Sequence, residues 1–302
     1  MAAPPGCSLR AEASGERAAM IGRRSLVKNA ALLALGAHGL AAGVARAAPG
    51  QPTGGAVQMT PDRVLNQTAV PVFDFTVVKT HPHDTSSYTE GLVKAGGTIF
   101  EGTGLYGRSR LLEWDLESGR VLRRLDLDPN YFGEGVTVLD GRIYQLTYLD
   151  NRAFVYDQAT FSKIGQLDYG TQGWGLTHDG THLIMSNGSS MIEYRDPKTF
   201  RRVHRFYVSD AVAPVGFLNE LEFARGRLYA NVWQTPFIAI IDPAAGTLAG
   251  WIDLTGINPD PAALKYPYVL NGIAFDEATG NLLVTGKCWP HVWEIALVPR
   301  AG

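Results

Sequence analysis

The sequence predicts an all-β fold of repeated four-stranded sheets, and three observations carry the prediction. Five segments begin alike, at spacings of 40 to 52 residues. Each is followed, at a matched offset, by a Gly- or Asp-bearing turn and a second apolar strand. No segment shows a sustained 3.6-residue apolar period, so helix content is expected to be very low.

The five starts are Tyr88-Thr89-Glu90-Gly91-Leu92, Phe132-Gly133-Glu134-Gly135-Val136, Gly173-Trp174-Gly175-Leu176, Leu218-Asn219-Glu220-Leu221 and Leu270-Asn271-Gly272-Ile273. The turns behind them, such as Leu139-Asp140-Gly141 and His178-Asp179-Gly180, have the chemistry of tight hairpins. Ile99, Ile143, Leu183 and Leu228 each stand nine residues after their start residue. Leu282 stands eleven after Asn271, because that hairpin is two residues longer. Third strands are expected at 111–115, 153–157, 191–194, 237–242 and 292–295, and fourth strands at 121–127, 163–167, 203–208 and 248–254. Their bias is β-branched and aromatic.

Four short antiparallel strands at this period are the signature of a propeller blade. A five-bladed β-propeller over residues 71–302 is therefore predicted. The fifth repeat ends after its third strand. Val72 to Val78 is expected to supply the fourth, closing the ring by pairing the N-terminal strand with the last blade and hiding the sheet edges. A sandwich of similar strand content would not keep equal offsets.

Residues 1–47 read as an export signal rather than as fold. Arg23-Arg24-Ser25-Leu26-Val27-Lys28 precedes an apolar run from Ala30 to Val44, and Ala45-Arg46-Ala47 is a small-x-small cleavage pattern. The adjacent arginines resemble a bacterial twin-arginine address, and Met20 is a candidate start. The run holds about 15 residues, short of the roughly 20 that a membrane span needs. Residues 48–70 read as a linker. A periplasmic or secreted protein is expected. Residues 1–47 hold Arg10, Arg17, Arg23, Arg24, Lys28 and Arg46 against Glu12 and Glu16, so removing them moves the formal charge from −2 to −6. An acidic surface gives no reason to bind nucleic acid or an anionic membrane. Cys7 falls in the signal, which leaves Cys288 as a lone, buried, structural cysteine. The domain is then expected to be held by its core, and to be a monomer.

In a propeller the first strand of each blade lines the central channel, so the start residues Glu90, Glu134, Trp174, Asn219 and Asn271 converge. Two carboxylates in a partly dry site raise each other's pKa. That suits one of them to general acid–base work. Five residues past each second-strand marker stand Gly104, Tyr148, Gly188, Trp233 and Lys287. This register brings Trp233 and Lys287 to the same mouth. A polar, water-filled tunnel mouth and a Trp233 that merely packs the core are the plainer alternatives.

Eight motifs in order resemble the plant and bacterial glutaminyl cyclases. They are the starts at 88–92, 131–135, 173–176, 218–222 and 270–274, with Gly102 to Ser109, Asn231-Val232-Trp233-Gln234 and Val284-Thr285-Gly286-Lys287. The resemblance runs from about Phe73 to Leu297. It implies a five-bladed propeller, unrelated in fold to the zinc-dependent animal enzymes; no metal ligand and no cofactor is assigned. It implies conversion of an N-terminal glutamine of a peptide or protein into pyroglutamate, with release of ammonia. Glu134 matches the essential acid/base, and Glu90 a position that is Gln in plant members and Glu in some bacterial ones. Trp174, Asn219, Trp233 and Lys287 match pocket residues. Tyr148 departs from a Trp of the plant enzyme, which bears on pocket shape.

The mechanism expected from this match is an attack of the α-amine on the γ-carboxamide carbon, helped by holding the coiled conformer. Glu134 would take the amine proton and deliver it to the departing ammonia. Lys287 or Asn219 would stabilise the oxyanion, and Glu90 would anchor the amine. Trp174 and Trp233 would wall the side chain and keep water out. Asn271 is assigned no chemistry beyond structure. Two other classes compete. A calcium-dependent, lactonase-like propeller hydrolase would use Glu90, Glu134, Asn219 and Asn271 as oxygen donors, although Lys287 would set a cation beside a cation. A non-catalytic binding module would not need paired carboxylates. His81-Pro82-His83-Asp84 reads as a loop entering the first blade, not as metal ligands.

Overall fold

The computed structural model describes residues 59–210, 212–260 and 265–300, all within one of the chain's two compact units. The expected export signal and its cleavage point lie outside the described residues. Three separate sheets have four antiparallel strands each. The first holds β2 (Thr89–Ala95), β3 (Thr98–Thr103), β4 (Arg110–Trp114) and β5 (Val121–Asp126). The second holds β6 (Gly133–Leu139), β7 (Arg142–Thr147), β8 (Arg152–Asp157) and β9 (Lys163–Asp168). The third holds β10 (Leu176–His178), β11 (Leu183–Ser186), β12 (Met191–Arg195) and β13 (Arg202–Tyr207).

The remaining strands are β1 (Val72–Pro82), β14 (Leu218–Ala224), β15 (Arg227–Val232), β16 (Phe237–Asp242), β17 (Thr247–Asp253), β18 (Leu270–Phe275), β19 (Leu282–Gly286) and β20 (His291–Pro299). They form one eight-stranded sheet in the order β14-β15-β16-β17-β1-β20-β19-β18. β1 pairs antiparallel with β20, from Phe73 opposite Pro299 to Pro82 opposite His291. This is the expected pairing of the two termini, but β1 is longer than 72–78. It runs on through His81 and Pro82, which were expected in a loop, because β20 offers partners as far as His291. A second contact was not anticipated. Val72 and Phe73 lie parallel to Trp251 and Ile252 of β17, which fuses two four-stranded halves. Arg300 reinforces the seam, bonding Asp74 and, at 2.7 Å, Asp253.

The strands β2, β6, β10, β14 and β18 are innermost, packing one against the next, with β18 returning to β2. The approach is close. A Cβ on Gly91 would stand 2.3 Å from the Val136 nitrogen, one on Gly135 2.5 Å from that of Leu176, and one on Gly175 2.1 Å from the Asn219 carbonyl oxygen. Only glycine fits such contacts. Apolar clusters fill the wedges between neighbouring sheets: Phe100 and Leu111 meet Val136 and Phe154, and Leu112 and Trp114 meet Leu283 and Val292. Full burial of each such side chain contributes roughly 1.5–3 kcal/mol. The outer strands β5 and β9 leave at least every second residue exposed.

The structure departs from sequence expectation at both ends of the domain. Thr60 caps a six-residue helix, α1 (Pro61–Asn66). Met59 and Val64 are buried in the core beside Val208, Val215 and Trp251, and Arg63 holds Asp210 at 2.7 Å. This part of the stretch read as linker is therefore packed: Met59, just ahead of the N-cap, and Val64 on the helix both join the core. Cys288 is buried, as expected, but is not a free thiol in this structure.

Candidate active site

Four of the five inner strands carry a β-bulge at their start residue. Regular pairing breaks between Thr89 and Gly91, Gly133 and Val136, Leu218 and Leu221, and Leu270 and Ile273. A bulge re-aims a side chain out of the pleat, and the residues inside these four are Glu90, Glu134, Asn219 and Asn271. Trp174 lies just ahead of the short β10. The second register is equally regular. The amides of Gly104, Tyr148, Trp233 and Lys287 donate to the carbonyls of Tyr88, Phe132, Phe217 and Val269 at 2.8–3.0 Å. Leu105, Gln234 and Cys288 follow with positive φ, between 60° and 84°. The strand breaks at each, directly after Gly104, Trp233 and Lys287.

Glu90 is the hub. Its Oε1 accepts from Lys287 Nζ at 2.6 Å, and its Oε2 from Asn271 Nδ2 at 3.1 Å. Asn271 Nδ2 also donates to the Thr89 carbonyl at 3.0 Å. Glu134 is hydrogen-bonded to Glu90. All four side chains are buried. Burial pushes the Glu134 carboxyl well above the usual range, and the charge of Glu90 pushes it further, while Lys287 opposes. Burial also raises Glu90, but there Lys287 and the bond from Glu134 both favour the ionised form. These directions favour the shared proton on Glu134 and the charge on Glu90.

Around this pair runs a closed aromatic wall. Ring centroids step from Tyr88 to Phe132 (6.3 Å), Tyr148 (5.8 Å), Trp174 (6.5 Å), Trp233 (5.7 Å) and Tyr266 (6.4 Å). The hydroxyl of Tyr266 returns to that of Tyr88. The Lys287 ammonium lies 4.5 Å from the Tyr88 ring. Burial, then Glu134 and Glu90, push the Tyr148 hydroxyl up to about 12. Two glycines make room: a Cβ on Gly188, whose φ is +79°, would come within 2.5 Å of the Trp174 indole, and one on Gly104 within 2.4 Å of Phe132.

The structure thus unites Glu90, Glu134, Lys287 and Asn271 in one hydrogen-bonded group, and Trp174 with Trp233 in the wall. Asn219 is buried beside them on β14, and its Oδ1 has no hydrogen-bond partner among the described residues; the Asn271 Oδ1 is in the same state. The structure adds contacts that the sequence did not show: Glu90 is held by Lys287, Asn271 and Glu134. Tyr88, Phe132 and Tyr266 were missed. Tyr88 and Phe132 share a position two residues before their starts, so their signal was present. Tyr266 lies in the insertion that stretches the last spacing to 52 residues. The donor set does not suit a divalent cation, because the Lys287 ammonium and the Asn271 amide already occupy the Glu90 carboxylate.

A ring of β-sheets whose inner strands gather a hydrogen-bonded carboxyl pair, a buried lysine and an aromatic wall has the groups that acid–base chemistry uses. Residues 53–297 match the family model described as glutamine cyclotransferase. A glutaminyl-peptide cyclotransferase of Arabidopsis thaliana is 41% identical over 227 residues, covering 73% of this chain and 70% of the plant protein. The crystal structure of Myxococcus xanthus glutaminyl cyclase superposes with a TM-score of 0.70 at 32% identity, covering 77% of this chain and 100% of that one. The chain belongs to the glutamine cyclotransferase family, the glutaminyl cyclases, which convert N-terminal glutamine to pyroglutamate.

Proposed function

We propose that this chain is a five-bladed propeller that cyclises the N-terminal glutamine of a peptide or protein and releases ammonia. The blade count is supported by the five inner strands and by dividing the eight-stranded sheet at its short β1–β17 contact. The reaction is supported above all by one observation: Glu134 and Glu90 form a buried, hydrogen-bonded carboxyl pair beside the Trp174–Trp233 wall.

The reaction needs one proton moved from the attacking nitrogen to the departing one. Glu134 starts protonated, so it acts first as the acid. The neutral α-amine forms its bond to the γ-carbon, and the carbonyl oxygen takes the displaced electron pair. Glu134 gives its proton to the amide nitrogen, the C–N bond breaks, and ammonia leaves. The Glu134 carboxylate then takes the proton that the new ring nitrogen sheds, which restores the resting pair. Lys287 has donors left after bonding Glu90 and stabilises the oxyanion. The orphaned Oδ1 atoms of Asn219 and Asn271 accept from the substrate's N–H groups, a role that replaces Glu90 as anchor. Trp174 and Trp233 flank the glutamine side chain and exclude water.

The test is incubation with a Gln-initiated dipeptide, with and without EDTA, following ammonia. Equal release in both is expected, with none from the N-acetylated peptide. Absence of release from the free dipeptide would overturn the reading; loss with EDTA would return the calcium hydrolase to consideration. Export is proposed as well, on the Arg23-Arg24 signal, and replacing both with lysine should strand the protein in the cytoplasm. Normal export of that variant would remove the twin-arginine assignment.

A further inference from the structure

The position that follows the start residue is Gly91, Gly135 and Gly272 in three inner strands, Gly175 just ahead of β10, and Glu220 in β14. Four positions send no side chain toward the axis, and the fifth sends a carboxylate. Glu220 is fully buried. Its Oε1 accepts the Leu92 amide of β2 at 3.2 Å, and its Oε2 the Ile273 amide of β18 at 2.8 Å. Leu92 stands two residues after Glu90, and Ile273 two residues after Asn271. One side chain of β14 therefore grips the two strands that carry the Glu90 carboxylate and the amide that holds it.

We infer that Glu220 is a positioning residue for the acid–base pair: it fixes β2 against β18 and so sets the distance between Glu90, Asn271 and Glu134. The inference rests on the proposed cyclase reading of the mouth. The molecule contains its own control. Glu222, two residues along β14, is also a buried carboxyl and accepts the Phe275 amide of β18 at 2.9 Å and the Thr177 hydroxyl of β10 at 3.4 Å. It lies further from the starts and its bonds go to β18 and β10. If burial and strand cross-linking were the whole role, the two glutamates would behave alike.

The experiment compares Glu220→Gln, Glu220→Asp and Glu222→Gln with wild type on a Gln-initiated dipeptide, recording kcat, KM, the pH profile of kcat and the melting temperature. Gln at 220 sets an N–H against one of the two backbone amides, and Asp is one methylene too short to reach both. Both are expected to lower kcat about 10- to 100-fold with little change in KM, as displacement of a catalytic group does. The charged and titratable groups facing Glu134 are Glu90, Lys287, Tyr88, Tyr148 and Tyr169, and Glu222 faces Glu220. Of these, Glu90 is the one that Glu220 places. Its withdrawal leaves Glu134 less raised, so the alkaline limb moves to lower pH. Glu222→Gln should keep the wild-type kcat and limb while melting earlier. Wild-type kcat and limb in the 220 variants overturn the inference, as does an equal kcat loss in Glu222→Gln. Failure of both 220 variants to fold overturns it too, assigning Glu220 to the fold alone. An inactive wild type would instead sink the cyclase reading and leave the strand grip as described.

Discussion

Two pairs of buried glutamates stand within one ring of strands, and they differ in what their carboxyls touch. Glu90 and Glu134 bond each other, and Glu90 also accepts from Lys287 and Asn271. Glu220 and Glu222 bond chiefly backbone amides: Leu92, Ile273 and Phe275. Burial raises all four. A raised carboxyl is therefore not by itself a catalytic signature. In the first pair the proton has a second carboxylate as its acceptor, and the wall of Trp174 and Trp233 stands beside it. In the second pair the oxygens are committed to fixed donors of the chain, and a change of charge would strain three strands. In the reading proposed above, the first arrangement moves protons and the second holds geometry.

The sharpest break of this contrast is Glu134→Gln. It preserves shape and hydrogen bonding to Glu90 but removes the proton carrier. Turnover should fall about 10²- to 10⁴-fold, with an unchanged melting curve; a loss under tenfold would show that Glu134 is not the carrier. Next comes Lys287→Met, expected to cost about 10²-fold in kcat as loss of an oxyanion donor does. The same change removes the charge that lowers Glu134, so the alkaline limb of the kcat profile should move to higher pH. Glu90→Gln works in the other direction. It removes the charge that raises Glu134, so that limb should move to lower pH. Shifts of the same sign in these two variants would mean that the limb does not report Glu134.

The repeat was legible because propeller-like geometry leaves its mark on spacing. A hairpin of constant length puts Ile99, Ile143, Leu183 and Leu228 at one offset, and the same constancy carries Trp233 and Lys287 into one register. What the residues touch was less legible. Lys287 and Glu90 are 197 positions apart, and the bulges that turn the start residues arise from strand pairing, which leaves no local signal. The β1–β17 contact is likewise a matter of how two sheet edges meet. Met59 and Val64 were passed over because a single helical turn carries too few apolar positions to show a period. Glu220 was visible as the exception among four glycines, yet its meaning depends on the Leu92 and Ile273 amides it reaches.

The smallest expected effect concerns the holding pair and is read in stability rather than rate. Burial lifts Glu222 to about 8, with backbone amides opposing. An unfolded glutamate titrates near 4.3, so between those values the folded chain keeps a proton that the unfolded chain has lost. Folding is then proton-linked with a definite sign: this contribution is fully present below the unfolded value and is lost as pH rises through about 8. Glu222→Gln cannot ionise, and it should flatten that part of the melting-temperature profile while leaving the pH dependence of kcat where it was. A parallel slope in wild type and variant would detach Glu222 from the linkage. A moved kcat profile would erase the distinction between the two glutamate pairs, since a carboxyl that only holds strands has no path to the reacting nitrogen.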